Sequence, residues 1–420
     1  MVVVQQSTET NSSFPAMQPF CPYLWPAMLF LKSHTTGTEM GHPHPRDMVT
    51  HLAQRYAGNE QGPAACSERI PVNHYTDPKH FEREREKLFL QRPLLLAHET
   101  RIPDAGDAIV QDLLGLPVVT VRGADGNIQS FLNVCRHRGM RLVQGQGQVR
   151  LRSFVCPYHQ WTYGLDGGLR NIPRAESFLD VDKATLGLVE LPTAVRNGLI
   201  WIQLTPGASM DIDAHLAGLG DDLDYFKLGD FQYCQHSVRE VAANWKLIQD
   251  AFLDGYHVTR LHRNTVGPFF PDALADSQFI GDHLRNAVAR NEIAEAVGLP
   301  PGELGDLRPY ATFSYTTFPN AVLVIQPDYT SIICLFPVAV DKTVFVHTML
   351  VPHAPASDEE RDHFRRSFEL IDEGVFAAED IFVAAGTQRG LDSGANDSLL
   401  FGGLEEAAIR FHQVIARELR

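Results

Sequence analysis

Apolar positions change period three times along the chain. From Asn73, in NHYTDPKHFEREREKLFLQRP, Phe81, Leu88 and Phe89 recur at helical spacing behind an Asp-led start, with charges between them. From about 108 to 205 the period shortens to two and glycines break it. LPVVTVRGADGNIQSFLNV and LRSFVCPYHQWTYGLDGGL read as strand pairs turning at Asp125-Gly126 and Asp166-Gly167-Gly168, and NGLIWIQL (197–204) as a further strand. After Pro206 the pattern is mixed. Residues 240–262 predict helix; AVLVIQP, SIICLFPVAV and TVFVHTMLV predict three strands within 320–351.

Ser357 to Glu360 has the form of a helix capping box, and Phe364, Phe368 and Ile371 form one apolar stripe behind it. A second helical stretch runs through 377–388. Consecutive β runs flanked by long helices predict an α+β domain, an antiparallel sheet with helices on one face. The chain divides accordingly. Residues 66–107 form a helical lead-in belonging to the larger domain, 108–206 a small all-β domain and 207–420 the larger α+β domain. Residues 1–65, rich in Ser, Thr, Pro and Met, are expected to be a poorly ordered extension, or to precede a true start at Met40 or Met48. FCPYLWPAMLFL (20–31) holds two prolines and follows no basic run, so neither a signal peptide nor a membrane span is expected.

Composition narrows the class. The 420 residues are 44% hydrophobic and 21% charged, as in ordinary soluble globular proteins. A net charge of −15 argues against nucleic acid or an anionic membrane as a general partner. Six cysteines (21, 66, 135, 156, 234 and 334) are too few for a disulfide framework. Only Cys135 and Cys156 sit among histidines, which suggests a metal and a reducing cytoplasm.

Those two belong to NVCRHRGMRLVQGQGQVRLRSFVCPYHQWTYGLDGGL: Cys135-x-His137, then Cys156-x-x-His159. Each half is a tight loop offering one thiolate and one imidazole. A structural zinc site would use the same four ligands. A 2Fe–2S Rieske centre takes both cysteines on one iron and both histidines on the other. Gly139, Pro157, Tyr158 and Trp161 favour the second, because they supply close backbone approach and an apolar shell that tunes a cluster.

A second constellation follows in NWKLIQDAFLDGYHVTRLHRN. On a continuous helix Asp250, Asp254 and His257 would share one face, while His262 would lie about 140° away. A bend near Thr259 is therefore needed before His257 and His262 could bind one ion. Two histidines and a carboxylate leave positions open on Fe(II). An amphipathic helix with unremarkable histidines is the competing reading.

CRHRG and CPYHQWTY with a following LDGGL resemble the Rieske segment of the ring-hydroxylating oxygenase family. Gln160 stands where that family usually has glycine, and the gap between the loops is about a residue longer than usual. The segment from Asn244 to His262 is similar to the family's mononuclear-iron motif. The resemblance covers about residues 70–420, and implies a helix-grip (START-like) catalytic domain beside the Rieske domain. It implies His257 and His262 as iron ligands. It also implies Asp254 as a bridge between His159 of one subunit and His257 of the next. In AAEDIFVAAGTQRGL it implies Asp380 as third ligand, with Glu379 as the rival. A homotrimer follows, α3 or α3β3 with a small subunit.

No GxGxxG follows a strand, so NAD or flavin is not expected on this chain. Electrons would come from an NAD(P)H-dependent flavin/iron–sulfur reductase, with or without a ferredoxin. The expected activity is O2-dependent hydroxylation of an aromatic or aromatic-acid substrate. One alternative is N- or O-demethylation or monooxygenation of a small methylated amine or ether. Another is an electron carrier whose second domain is structural, which would hold two irons per chain instead of three. Cys234 and Cys334 are read as small core residues, His347 and His353 as surface or turn residues. Phe252, Leu253 and Tyr256 would be core or pocket lining.

Overall fold

The computed structural model describes residues 44–60 and 67–420. Its largest element is a seven-stranded antiparallel sheet. In spatial order its strands are Gln232–Val241, Lys342–Val351, Thr330–Ala339, Ala321–Ile325, Ala311–Thr317, His283–Ala289 and Ala275–Ile280. Short turns join Ala275–Ile280 to His283–Ala289 and link the four strands from Ala311 to Val351 in succession, whereas residues 290–310 make the longer connection between these two parts; the three predicted runs of 320–351 are the second to fourth of those four strands.

One long helical element covers a face of this sheet. It begins at Asp358, capped by the Ser357 hydroxyl accepting from the Glu360 amide at 3.1 Å. It continues through widened π-type turns over Leu370–Asp380 into Ile381–Asp392. Phe364, Phe368, Ile371 and Phe376 are buried beneath it, the predicted stripe extended by one turn. Wide turns of this kind re-aim side chains, and here they end at Asp380.

The small β unit has a five-stranded sheet, in the order Glu190–Leu191, Ile128–Leu132, Leu116–Arg122, Asp107–Leu113, Gly147–Arg150. Beside it lies a three-stranded sheet, Phe154–Val155, Thr162–Tyr163 and Leu169–Asn171. Val110, Val119, Phe131, Trp161 and Tyr163 pack with Cys135 and Cys156 in a core of their own. Alternate residues, Ile109, Leu113 and Val118, join the main core instead, as period-two alternation requires.

Two expectations are corrected. The poorly ordered extension does not reach 65, because Pro45–Gly58 is a helix. His44 and Asp47 cap it reciprocally, and it buries Met48, Val49 and Leu52 against the sheet edge at Ala275–Ile280 and His283–Ala289. Residues 1–43, including the apolar stretch 20–31 and Met40, lie outside the described residues. Second, 240–262 is not one helix: strand runs to Val241, helix spans Trp245–Phe252, and a separate turn spans Val258–Leu261.

The lead-in holds the first of these helices in place. Lys246 Nζ donates to Glu84 at 2.6 and 2.8 Å, Trp245 Nε1 donates to Glu84 at 2.9 Å, and both charges are fully buried. Removing one partner strands the other charge. Glu84→Gln is therefore expected to lower unfolding free energy by about 3–5 kcal/mol. The paired replacement Glu84→Leu with Lys246→Met is expected to recover most of that. A urea midpoint unchanged by Glu84→Gln would refute this.

Candidate metal centres

At the tip of the small unit the two loops are built alike. The Cys135 amide donates to Met140 O and Gly139 N closes on Cys135 O; the Cys156 amide donates to Trp161 O and Gln160 N closes on Cys156 O. Both closing residues are left-handed, Gly139 at φ 75° and Gln160 at φ 59°. That conformation favours glycine, and Gln160 adopts it where the family usually has one.

Cys135 and Cys156 are buried yet not disulfide-bonded. Burial pushes the Cys135 thiol above its usual range, although a contact from the Tyr163 hydroxyl at 3.4 Å works the other way. A metal is what would draw out the thiolate there. In the same two loops the His137 and His159 rings lie 4.7 Å apart, and His159 Nδ1 is buried with no partner. Trp161 stacks on His137 at 4.7 Å and Tyr158 on His159 at 3.7 Å. Two unbonded thiols and two neighbouring imidazoles, carried on paired loops under an aromatic shell, fit a 2Fe–2S Rieske centre.

The second centre depends on the break in the helix. Asn244 caps Trp245–Phe252, and the bend at Asp254-Gly255-Tyr256 re-aims the chain so that His257 and His262 flank the short turn Val258–Leu261. Gly267 must be glycine, because a Cβ there would stand 2.7 Å from His262 O. The bend falls before His257 instead of near Thr259. Asp250 consequently leaves the expected face and bonds Tyr75 Oη at 2.8 Å and His412 Nε2 at 2.9 Å.

Asp380 arrives from the long helix. His257 Nε2 and His262 Nε2 are 3.2 Å apart, and Asp380 Oδ1 lies 3.7 Å from the first and 3.3 Å from the second. These three are the group among the described residues whose ligand atoms converge as a metal site requires. Asp380 Oδ1 is buried without a hydrogen bond, which a carboxylate tolerates when a cation completes it. Two imidazoles, one such carboxylate and remaining open positions suit Fe(II).

The rival acid has a different job. Glu379 Oε2 accepts from His262 Nδ1 at 2.7 Å and from Thr265 Oγ1 at 2.8 Å. With Nδ1 donating to Glu379, Nε2 is the nitrogen left facing Asp380's oxygen, and in the neutral ring its lone pair is available to a metal. Burial disfavours a charged His262, yet Asp380 and Glu379 outweigh it and raise its pKa. Asp254 lies 3.5 Å from His257 Nδ1, which stays unbonded, and its other oxygen accepts the Tyr256 amide at 2.5 Å.

A cavity of about 380 Å³ opens from this cluster. Its floor is the helix-covered face of the large sheet. Cross-strand register places Ser277, Asn286, Ser314, Val324 and Ser331 in one row and Ala275, Val288 and Thr312 in another. Phe252, Phe269, Phe270, Val375 and Phe376 wall it. Asn286 Oδ1 and Ser314 Oγ are buried in that floor without partners.

His347 corrects its reading as a surface residue. Its strand is covered on both faces, so the side chain is fully buried. Nδ1 bonds Asp372 at 2.9 Å and Nε2 bonds Ser331 at 3.0 Å. Burial works against the Asp372 carboxylate, but His347, Arg239 and Ser237 hold it well below its usual range. Cys334 is buried as read, and His353 is exposed.

Residues 92–192 match the family model of the Rieske [2Fe-2S] domain, and 228–420 that of the ring hydroxylating alpha subunit (catalytic domain). The chain is similar to the carnitine monooxygenase oxygenase subunit of Escherichia coli (strain K12), 26% identical over 366 residues, 83% of this chain and 93% of that protein. It is 34% identical over 194 residues to the glycine betaine monooxygenase oxygenase subunit of Pseudomonas aeruginosa, 46% of this chain and 44% of that one. A solved quaternary ammonium Rieske monooxygenase superposes with TM-score 0.73 at 22% identity, over 90% of this chain and 100% of the other.

Proposed function

Because this chain belongs to the Rieske non-haem iron oxygenases, as an oxygenase α subunit, we propose that it monooxygenates a small methylated amine at a carbon beside nitrogen. It is a terminal oxygenase with a Rieske cluster and a mononuclear iron. In our reading Cys135, His137, Cys156 and His159 hold the cluster, and His257, His262 and Asp380 hold the iron. When bound, that iron supplies O2 activation.

The observation that carries the substrate reading is the cavity itself. It opens directly off the three converging side chains, and aromatic rings wall it. Methylated ammonium groups are attracted to aromatic faces. The similar proteins named for carnitine and glycine betaine point the same way. The chain's own residues have distinct tasks. Glu379 fixes the His262 tautomer, the phenylalanines exclude water, and the floor of Asn286 and Ser314 offers hydrogen bonds to whatever enters.

Asp254 is proposed to couple two subunits, accepting from His257 Nδ1 on its own chain and from His159 of the next. Tyr158 and Val155, 55% and 47% exposed at the Rieske tip, suit that tip to docking. A homotrimer, fed by a separate NAD(P)H-dependent reductase, is the assembly this requires. No described helix is long and apolar enough to cross a membrane.

An aromatic acid is the second reading, since the same walls would hold a ring and Arg290 in the cavity lining would meet its carboxylate. With a surrogate reductase, O2 uptake is expected to rise on adding a methylated ammonium compound and not on adding benzoate-type acids. The reverse pattern would overturn the substrate reading.

A further inference from the structure

Among the described residues that line the cavity Arg290 is the one strongly basic side chain, and its surroundings are unusual. It follows the strand His283–Ala289, tied there by its amide donating to Tyr310 O at 2.9 Å. The side chain is only 14% exposed. Its guanidinium carbon lies 5.7 Å from the Phe269 ring centroid and 5.6 Å from that of Phe270. Two adjacent rings thus lie within cation–π range of the guanidinium, in a cavity with aromatic walls and a floor that carries neutral polar groups.

What Arg290 lacks is a close anion. Among the described residues its ion pair is with Glu292, at 3.7 Å through Nε, and Glu292 is 47% exposed. Its Nη1 reaches Thr312 Oγ1 and Gln326 Oε1 only at 3.5 Å each, and those two bond each other at 3.1 Å. By contrast, Arg239 meets Asp372 at 2.6 Å and Arg260 meets Asp272 at 2.6 Å. Asp328, also in the cavity lining, is engaged by His363 Nε2 at 2.6 Å. A guanidinium offers five donors in a fork that matches a carboxylate. Holding that fork largely out of water without a close anion is costly unless a ligand completes it.

We propose that Arg290 anchors the carboxylate of the substrate, so that the cavity takes a small zwitterion with a methylated ammonium group near His257, His262 and Asp380 and a carboxylate at Arg290. The ammonium half of this statement rests on the function proposed above; the anion half does not. Arg290 is then a specificity residue. It separates betaines, which carry a carboxylate, from choline, which carries a hydroxyl in its place.

The test uses the full oxygenase with surrogate reductase, measuring substrate-dependent O2 uptake for glycine betaine, carnitine, choline and the carboxamides of the two acids. With wild-type protein, a carboxylate-bearing compound is expected to be turned over with a KM roughly 10- to 100-fold below that of its carboxamide. Arg290→Gln is expected to raise KM for the acid by a similar factor, with kcat changed no more than a few-fold, and to leave the carboxamide's KM almost unmoved. Arg290→Lys should recover part of the loss. Equal KM for acid and carboxamide, or preference for choline, would overturn the anchor. Turnover of an aromatic acid alone would overturn the methylated-amine reading while sustaining the anchor, provided Arg290→Gln raises KM for that acid. Equal turnover of that acid by both proteins would overturn both.

Discussion

His262→Ala is expected to abolish oxygenation while leaving the Rieske optical spectrum intact. His262 sits 4% exposed at the junction of two carboxylates, with Nδ1 on Glu379 and Nε2 3.3 Å from Asp380. Losing the neighbour of a ligand commonly costs about 10- to 100-fold in metal affinity or activity. Losing the imidazole itself removes one of three donors, so the cost must be larger. Cys135 and Cys156 lie in a separate core with Val110, Val119 and Phe131, whereas the polar and ring partners of His262 are His257, Thr265, Glu379 and Asp380. Iron analysis should therefore fall from three per chain to two. A His262→Ala protein that still oxidised substrate at more than a few per cent of the wild-type rate would show the site to be misplaced.

Asp254→Asn is expected to keep both metals and to slow substrate oxidation sharply, with the block between the centres. The carboxylate stands 3.5 Å from the unbonded His257 Nδ1, at the bend between the two helical segments. An ionised carboxylate can accept from two imidazole N–H groups at once. A carboxamide is uncharged and keeps one acceptor oxygen, its NH2 opposing an imidazole N–H on the other side, so it bridges two such rings poorly. In a chemically pre-reduced protein mixed with substrate and O2, re-oxidation of the cluster should slow about 10- to 100-fold, the loss that mutating a residue hydrogen-bonded to a metal ligand typically causes. Wild-type single-turnover rates in Asp254→Asn would end the bridging role.

Different parts of this arrangement were legible in the chain to different degrees. Cys135, His137, Cys156 and His159 stood out because each Cys–His pair is local to one turn, three residues in the first loop and four in the second. Three of the seven strands of the large sheet, those within 320–351, were legible for the same kind of reason, since short turns join them; Gln232–Val241, Ala275–Ile280, His283–Ala289 and Ala311–Thr317 were not read. The iron segment was only half legible. Helical periodicity put Asp250 beside Asp254 and placed the bend near Thr259, whereas the chain breaks at Asp254-Gly255-Tyr256 and Asp250 serves Tyr75 and His412. Nothing local reveals that choice, because it is made by residues more than 150 positions away.

Glu379 and Asp380 could not be separated from spacing alone. The widened turns of Leu370–Asp380 decide which acid meets the Nε2 atoms of both histidines and which meets His262 Nδ1, and such turns carry no residue signature. The helix Pro45–Gly58 was hidden by its company. Met48, Val49, Leu52 and Ala53 make a legible stripe, but the Pro- and Thr-rich residues before it obscured where that stripe begins. His347 and Arg290 were missed because burial on both faces of a strand, and a cavity floor made of cross-strand rows, depend on register.

The central claim is that this one polypeptide couples a Rieske cluster to a mononuclear iron that oxygenates a substrate, and a single-turnover experiment tests it most directly. The protein is reduced stoichiometrically, freed of reductant, and mixed with O2 and its substrate. The account predicts rapid, substrate-dependent return of the oxidised Rieske spectrum and one oxygenated product for every two electrons withdrawn. Slow re-oxidation at the same rate with and without substrate, and no product, would contradict it and leave an electron carrier.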